Sequence, residues 1–203
     1  MVKPLAVFCA ALFTCLAIGP ASARAATSSQ PPHFTVQLLS INGSGCPAGT
    51  AAVSAAPDES EFKVTYTQFT ASAGGGASPA DFRKNCQFDM LVSVPSGWTY
   101  GIASQRYRGF ANLDTGARGT IQTDYYFSGI PGTNPQYRPL SGPMNTDYEF
   151  DDQQPVLTWA PCHFSTTLNA DTSLQVFRGT NPCFFDEITM NSTDSPQLAF
   201  RRC

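Results

Sequence analysis

The stretch Phe88-Asp89-Met90-Leu91-Val92-Ser93-Val94 decides the fold, because Phe88, Met90, Val92 and Val94 recur at every second position. Side chains two apart lie on one face of a strand, so this run reads as a strand with one face buried. The same period appears upstream at Phe34, Val36 and Leu38, and again at Phe62, Val64 and Tyr66. Downstream, further strands are expected at Trp98 to Ile102, Tyr107 to Leu113, Thr120 to Phe127, Tyr148 to Phe150, Val156 to Trp159, Thr166 to Leu168, Leu174 to Phe177 and Gln197 to Phe200. No stretch carries a helical period.

Glycine and proline break these runs at GSGCPAG (Gly43 to Gly49), AGGGASPADF (Ala73 to Phe82), PSG (Pro95 to Gly97) and GTNPC (Gly179 to Cys183). Short alternating strands separated by such turns predict an all-β, antiparallel two-sheet β-sandwich, and nine or more strands are compatible with a jelly-roll-like arrangement. The stretch Gly129 to Thr146, with PGTNPQYRPLSGP at its heart, reads as the longest loop and a place for binding.

Lys3, the apolar run Leu5 to Ile18 and the small-residue stretch Pro20 to Ala26 have the three parts of a secretory signal peptide. The apolar run is too short to span a bilayer, so no membrane span is expected in the mature form. Cleavage after Ala23 or Ala25 divides the 203 residues into a signal peptide (1–25), a flexible lead-in (26–32) and one β-sandwich domain (33–203), secreted and extracellular. With Lys3 and Arg24 removed, ten basic residues face fifteen acidic ones. That balance, without a basic run, argues against nucleic acid as a partner. The cation pair Arg106 with Arg108 reads as solvated surface.

Few residues offer catalysis. Only His33 and His163 could serve as an imidazole base, and no G-x-S-x-G turn is present. Within DYEFDD (Asp147 to Asp152), Asp147, Glu149 and Asp151 share one strand face, with Tyr148 and Phe150 on the other. Three carboxylates on one side repel one another unless a cation or base accompanies them. A Ca²⁺ site, an acid/base pair for glycoside cleavage, or a charged edge that discourages strand aggregation would each account for them. No other cofactor is suggested. Trp98, Tyr100, Tyr107, Tyr125, Tyr126, Tyr137 and Tyr148 could stack on sugar rings if several shared an exposed face, Tyr126 and Tyr137 being the best placed. Asn42 (NGS) and Asn191 (NST) are candidate glycosylation sites.

Once the signal peptide is removed, Cys46, Cys86, Cys162, Cys183 and Cys203 remain. An odd count in an oxidising compartment leaves at least one cysteine outside an intramolecular bridge, and two bridges among five cysteines allow about fifteen arrangements. Spacing does not choose among them.

Several segments together resemble a family. They are GSGCPAGT (Gly43 to Thr50), RKNCQFDMLVSVPSGWTYGI (Arg83 to Ile102), YRGFANLDTGARGT (Tyr107 to Thr120), YYFSG (Tyr125 to Gly129) and WAPC (Trp159 to Cys162). In that order they are similar to domain of unknown function 4360, a family of secreted microbial proteins. The resemblance implies a secreted β-rich domain with no assigned activity. It also implies bridges Cys46 to Cys86 and Cys162 to Cys203, with Cys183 a free thiol, because the recurring cysteines match the other four. His163 departs from the glycine usual after WAPC and draws no role from the resemblance.

The leading expectation is a secreted, non-catalytic sandwich that binds a polysaccharide or cell-wall polymer or serves as a surface component. Two alternatives stand beside it. One is a carbohydrate-active hydrolase using the carboxylates of 147–152, and the other is an exported protein-interaction factor.

Overall fold

A computed structural model describes residues 33–55, 62–130, 135–154, 157–162 and 166–203, with the backbone alone at 55 and 194–196. The expected signal peptide and lead-in lie outside the described residues. Among the described residues ten strands run in chain order: β1 (Thr35–Asn42), β2 (Ala51–Ala55), β3 (Phe62–Gly74), β4 (Arg83–Ser93), β5 (Trp98–Leu113), β6 (Arg118–Phe127), β7 (Gln136–Ser141), β8 (Met144–Gln153), β9 (Thr167–Phe177) and β10 (Phe185–Arg202). One sheet, sheet A, has the order β1-β4-β9-β6-β7, and the other, sheet B, has β2-β3-β10-β5-β8. All pairings are antiparallel. Counting from β3, sheet B places the first, eighth, third and sixth strands side by side, and sheet A the second, seventh, fourth and fifth. That is the order of a jelly roll, to which β1 and β2 add one outer strand each. No helix among the described residues is long and apolar enough to cross a membrane.

The period-2 residues do what their spacing demands. Phe62, Val64, Tyr66, Phe88, Met90 and Val92 all lie in the core between the sheets, joined by Ile121, Leu168, Leu174, Ile188 and Met190. Two expected pairs of strands are each one longer strand: Trp98 to Ile102 joins Tyr107 to Leu113 in β5, and Thr166 to Leu168 joins Leu174 to Phe177 in β9. The expected loop from Gly129 to Thr146 is largely β7 and the start of β8. Pro139, which argued for loop, is tolerated because β7 is an edge strand and pairs only with β6. The segment reaching Trp159 is a single bridge to Gly101 rather than a strand, and Val156 lies outside the described residues.

Two bridges staple the domain, Cys46–Cys86 and Cys162–Cys203, while Cys183 is exposed and free. They close loops of 40 and 41 residues. On a chain-entropy account each contributes roughly 4 kcal/mol by restricting the unfolded chain.

A polar tie joins the sheets at the β7–β8 side. Asp152 of β8 is 1 % exposed and accepts hydrogen bonds from the Tyr107 hydroxyl and from Nη2 and Nε of Arg138, the latter at 2.6 Å. Arg138 belongs to sheet A and Asp152 to sheet B. This hydrogen bond holds the Arg138 guanidinium more firmly in its charged form. Nearby, Gln105 of β5 donates to Thr123 of β6 at 2.7 Å, a second polar link between sheets.

Two predictions follow from this interior. Arg138→Met leaves the buried Asp152 carboxylate without its cation and is expected to destabilise the protein by about 2–3 kcal/mol in urea unfolding, with part of the loss recovered by adding Asp152→Asn. The phenols also make the protein sensitive to alkali. Burial raises the pKa of Tyr66 to about 12, and raises those of Tyr100, Tyr107, Tyr125 and Tyr148 well above the phenol range. Folded phenols that hold their protons more tightly than unfolded ones contribute stability fully present below about pH 10 and lost as pH rises through their folded values. The urea midpoint is therefore expected to fall above pH 10, with phenolate absorbance appearing together with unfolding rather than ahead of it.

Candidate binding cleft and the predicted site residues

The three carboxylates Asp147, Glu149 and Asp151 are exposed on the outer face of β8, an edge strand of sheet B. Antiparallel register sets Asp151 opposite Arg106 and Glu149 opposite Arg108 on β5. Arg106 lies 2.9 Å from Asp151 and 3.3 Å from Glu149, and Arg108 2.8 Å from Glu149. The hydrogen bond that Arg106 donates to Asp151 raises the Arg106 pKa further above its ordinary value. The cation that the carboxylates require is thus supplied by the neighbouring strand. These side chains are 41–51 % exposed, so water screens the pairs. Among the described residues no group of three or more His, Cys, Asp or Glu is placed to hold a metal ion. The Arg-x-Arg of β5 and the Glu-x-Asp of β8 share one period, and that shared period is the sequence signal for the pairing.

The remaining candidates scatter. His33 is exposed at the start of β1, and His163 lies outside the described residues. Tyr107 and Tyr148 are core residues, Tyr107 bonded to Asp152 and Tyr148 donating to the Thr189 carbonyl at 2.9 Å. Tyr126 accepts a hydrogen bond from Gln87 at 3.0 Å, and Tyr137 is 55 % exposed on β7 opposite Gln122. Seven aromatics therefore do not share one exposed face. Trp98 and Tyr100, however, line the same cleft.

That cleft, about 230 Å³, sits where β4 ends, β5 begins and β10 finishes. Leu91 to Tyr100 form most of its wall, and Ala160, Pro161, Thr166 and Cys203 complete it. Local rules shape it. Gly97 takes φ 79°, a conformation that favours glycine, so the chain can reverse between β4 and β5 with the Trp98 amide donating to the Pro95 carbonyl at 3.1 Å. The Cys203 amide donates to the Gly97 carbonyl at 3.0 Å, and the Cys162–Cys203 bridge then fastens the segment carrying Ala160 and Pro161. That segment is further held by the Ala160 amide on the Tyr100 carbonyl at 2.8 Å and by the Thr99 hydroxyl on the Ala160 carbonyl at 2.6 Å. Arg202 stacks 4.2 Å from the centre of the Trp98 ring, while Arg201 covers Trp159 at 4.3 Å.

Tyr100 is the unusual member. Its ring packs edge-on against Phe127, centroids 5.5 Å apart, and it is only 3 % exposed. Its hydroxyl has no hydrogen-bond partner among the described residues. Burial pushes its pKa upward, so the hydroxyl stays protonated at neutral pH and can donate as well as accept. Leaving such a group unpaired costs roughly 1–3 kcal/mol. Among the described residues the cleft is lined by Ser93, Ser96 and Thr166 beside Trp98, and by no Asp, Glu or His. Hydroxyl-bearing residues beside an aromatic ring suit a neutral, hydroxylated ligand. The sequence placed Trp98 and Tyr100 among the aromatics but read PSG only as a turn; nothing in one sequence marks a hydroxyl that will lack a partner.

Residues 32–203 match the sequence profile described as "Domain of unknown function (DUF4360)". A protein of Arthroderma benhamiae described as an "Uncharacterized secreted protein" is 30 % identical over 148 residues, 72 % of this chain. The matched stretch spans 60 % of that relative's length. The cleft is walled, apart from Thr166 and Cys203, by the two segments Arg83 to Ile102 and Trp159 to Cys162 that carry the family likeness. With two disulfides in a jelly-roll sandwich and a secreted relative, this chain is a secreted protein and belongs to the DUF4360 family.

Proposed function

We propose that this protein is a non-catalytic binding component of the cell exterior, which holds a neutral sugar of a cell-surface or wall polysaccharide in the cleft at Trp98 and Tyr100. The observation that carries the reading is the described lining of the cleft, in which Trp98 and Tyr100 stand with Ser93, Ser96 and Thr166 and with no Asp, Glu or His. An aromatic ring gives a sugar face something to stack on, and hydroxyl donors and acceptors give its polar edge direction. The hydrolase alternative draws less support, because Glu149 and Asp151 are engaged by Arg106 and Arg108 and Asp152 is buried against Arg138.

Incubation of the purified protein with insoluble chitin, cellulose and β-glucan tests the reading, following both depletion of protein and release of soluble sugar. Depletion by at least one polymer without sugar release is expected. Sugar release that disappears in Glu149→Gln or Asp151→Asn would favour the hydrolase, and absence of depletion by every polymer would move the reading to a protein partner.

Two variants locate the site. Trp98→Ala is expected to weaken retention about tenfold or more, and Ser96→Ala by about three- to tenfold, the equivalent of one hydrogen bond. Because Ser96 is exposed, Ser96→Ala should leave the urea midpoint unchanged; unchanged retention in both variants would remove the cleft from the reading.

A further inference from the structure

The sequon Asn191-Ser192-Thr193 lies within β10, the strand flanked by β3 and β5 in sheet B. A regular strand would place Asn191 and Thr193 on one face and Met190 and Ser192 on the other. The strand is not regular there. Its register to β5 steps from Met190 opposite Gly109 to Ser192 opposite Arg108, so Asn191 is an extra residue with no counterpart on β5. The register to β3 is interrupted at the same point. This is a β-bulge, and a bulge re-aims the side chains around it.

The re-aiming divides the sequon. Met190 and Thr193 both turn inward, 0 % and 1 % exposed, with the Thr193 hydroxyl 3.5 Å from the Met190 sulfur and 3.4 Å from the Tyr66 hydroxyl. Asn191 is turned out and exposed. A core strand thus presents its acceptor asparagine to solvent while burying the hydroxyl two residues later, which sequon recognition reads.

We propose that Asn191 carries an N-linked glycan standing on the outer face of sheet B, and that it is attached before the domain folds. The donor is a lipid pyrophosphate-linked oligosaccharide of the secretory route. The Asn191 side-chain nitrogen loses one proton and bonds to the anomeric carbon of the first sugar, while the bond from that carbon to the pyrophosphate oxygen breaks and the lipid pyrophosphate leaves. In the unfolded chain both Asn191 and Thr193 are open to the transferase. In the folded chain Thr193 is closed, but the glycan already attached to Asn191 is accommodated without moving the core.

The test begins with the full chain secreted from an N-glycosylating eukaryotic host. Peptide mapping before and after N-glycanase is expected to show glycan on the Asn191 peptide and its conversion to aspartate on release, and Asn191→Gln or Thr193→Ser variants report loss or retention of that glycan. Unmodified Asn191 in the secreted wild type would overturn the proposal, whatever the variants do. The timing is tested with protein made in a non-glycosylating host and offered to the same transferase and donor. The reduced, unfolded form is expected to be modified at Asn191 and the folded form not; equal modification of both would overturn attachment before folding.

Discussion

The tie between Asp152, Arg138 and Tyr107 is the constraint around which the β7–β8 side is organised. β7 and β8 follow one another in the chain yet close opposite sheets, each as an edge strand. Nothing in backbone pairing holds those two edges together, so side chains must. Asp152 occupies an inward position in the alternation that also turns Tyr148 inward, and it meets a cation from the other sheet and a phenol from its own. A buried ion pair is costly to desolvate and is weak evidence for net stability. Its value here is in register. A slip of β8 by one residue would turn Asp152 to solvent and bring Asp151 or Gln153 inward, losing the Arg138 contact and, on the other face, both arginine pairs of β5 at once. The six residues Asp147 to Asp152 therefore encode one register on two faces, which explains why they looked like a single acidic cluster when read along the chain.

The strands with an uninterrupted period of two were legible, and the rest failed for identifiable physical reasons. β3 and β4 bury the alternate residues their patterns named. β2, reading AAVSA, is built of small residues whose alternation carries almost no hydrophobic signal. β10 was expected over only a few residues because bulges near Asn191 and beyond Asp194 reset the alternation along its 18 residues. β5 was read as two strands because Ala103 to Arg106 hold no large apolar residue, yet the strand runs through them. At Gly109 a Cβ would lie 1.9 Å from the Thr189 carbonyl oxygen and 2.4 Å from the Tyr148 hydroxyl, so the residue is a close-approach position inside a continuous strand. Pairing with β8 and β10 on both sides keeps β5 extended through it.

The candidate cleft was legible in its parts and not in its assembly. Trp98 and Tyr100 stand two apart, so a strand places them on one side, and that much follows from period alone. The rest of the wall includes Ala160 and Pro161, about sixty positions away, brought in by the bridge at Cys162 and by backbone bonds at Ala160. Long-range contacts of this kind leave no local periodicity to read. The same holds for the arginines of β5, which resembled ordinary surface until β8 was laid beside them.

The three outward surfaces differ in what they can recognise. The outer face of sheet B is charged near β8, where arginine and carboxylate neutralise one another and leave little net field to attract a charged partner. The outer face of sheet A mixes amides and hydroxyls, Asn85, Gln122 and Ser173 lying in register across β4, β6 and β9, with the charged Arg83, Asp89, Asp124 and Asp171 of the same alternation. Among the described residues the end cleft combines concavity with an aromatic lining and several hydroxyl-bearing residues. In a chain whose acidic residues outnumber its basic ones, a neutral cleft draws no gain from long-range attraction, so affinity there must come from stacking and directed hydrogen bonds. Each such contact is modest, and one cleft of this size holds a ligand only weakly. A repeating polymer compensates, because many equivalent sugars raise the chance of immediate rebinding at one site. On the proposed reading, a small neutral cleft on a disulfide-stapled secreted domain would suit residence on an insoluble polysaccharide better than capture of a dilute soluble sugar.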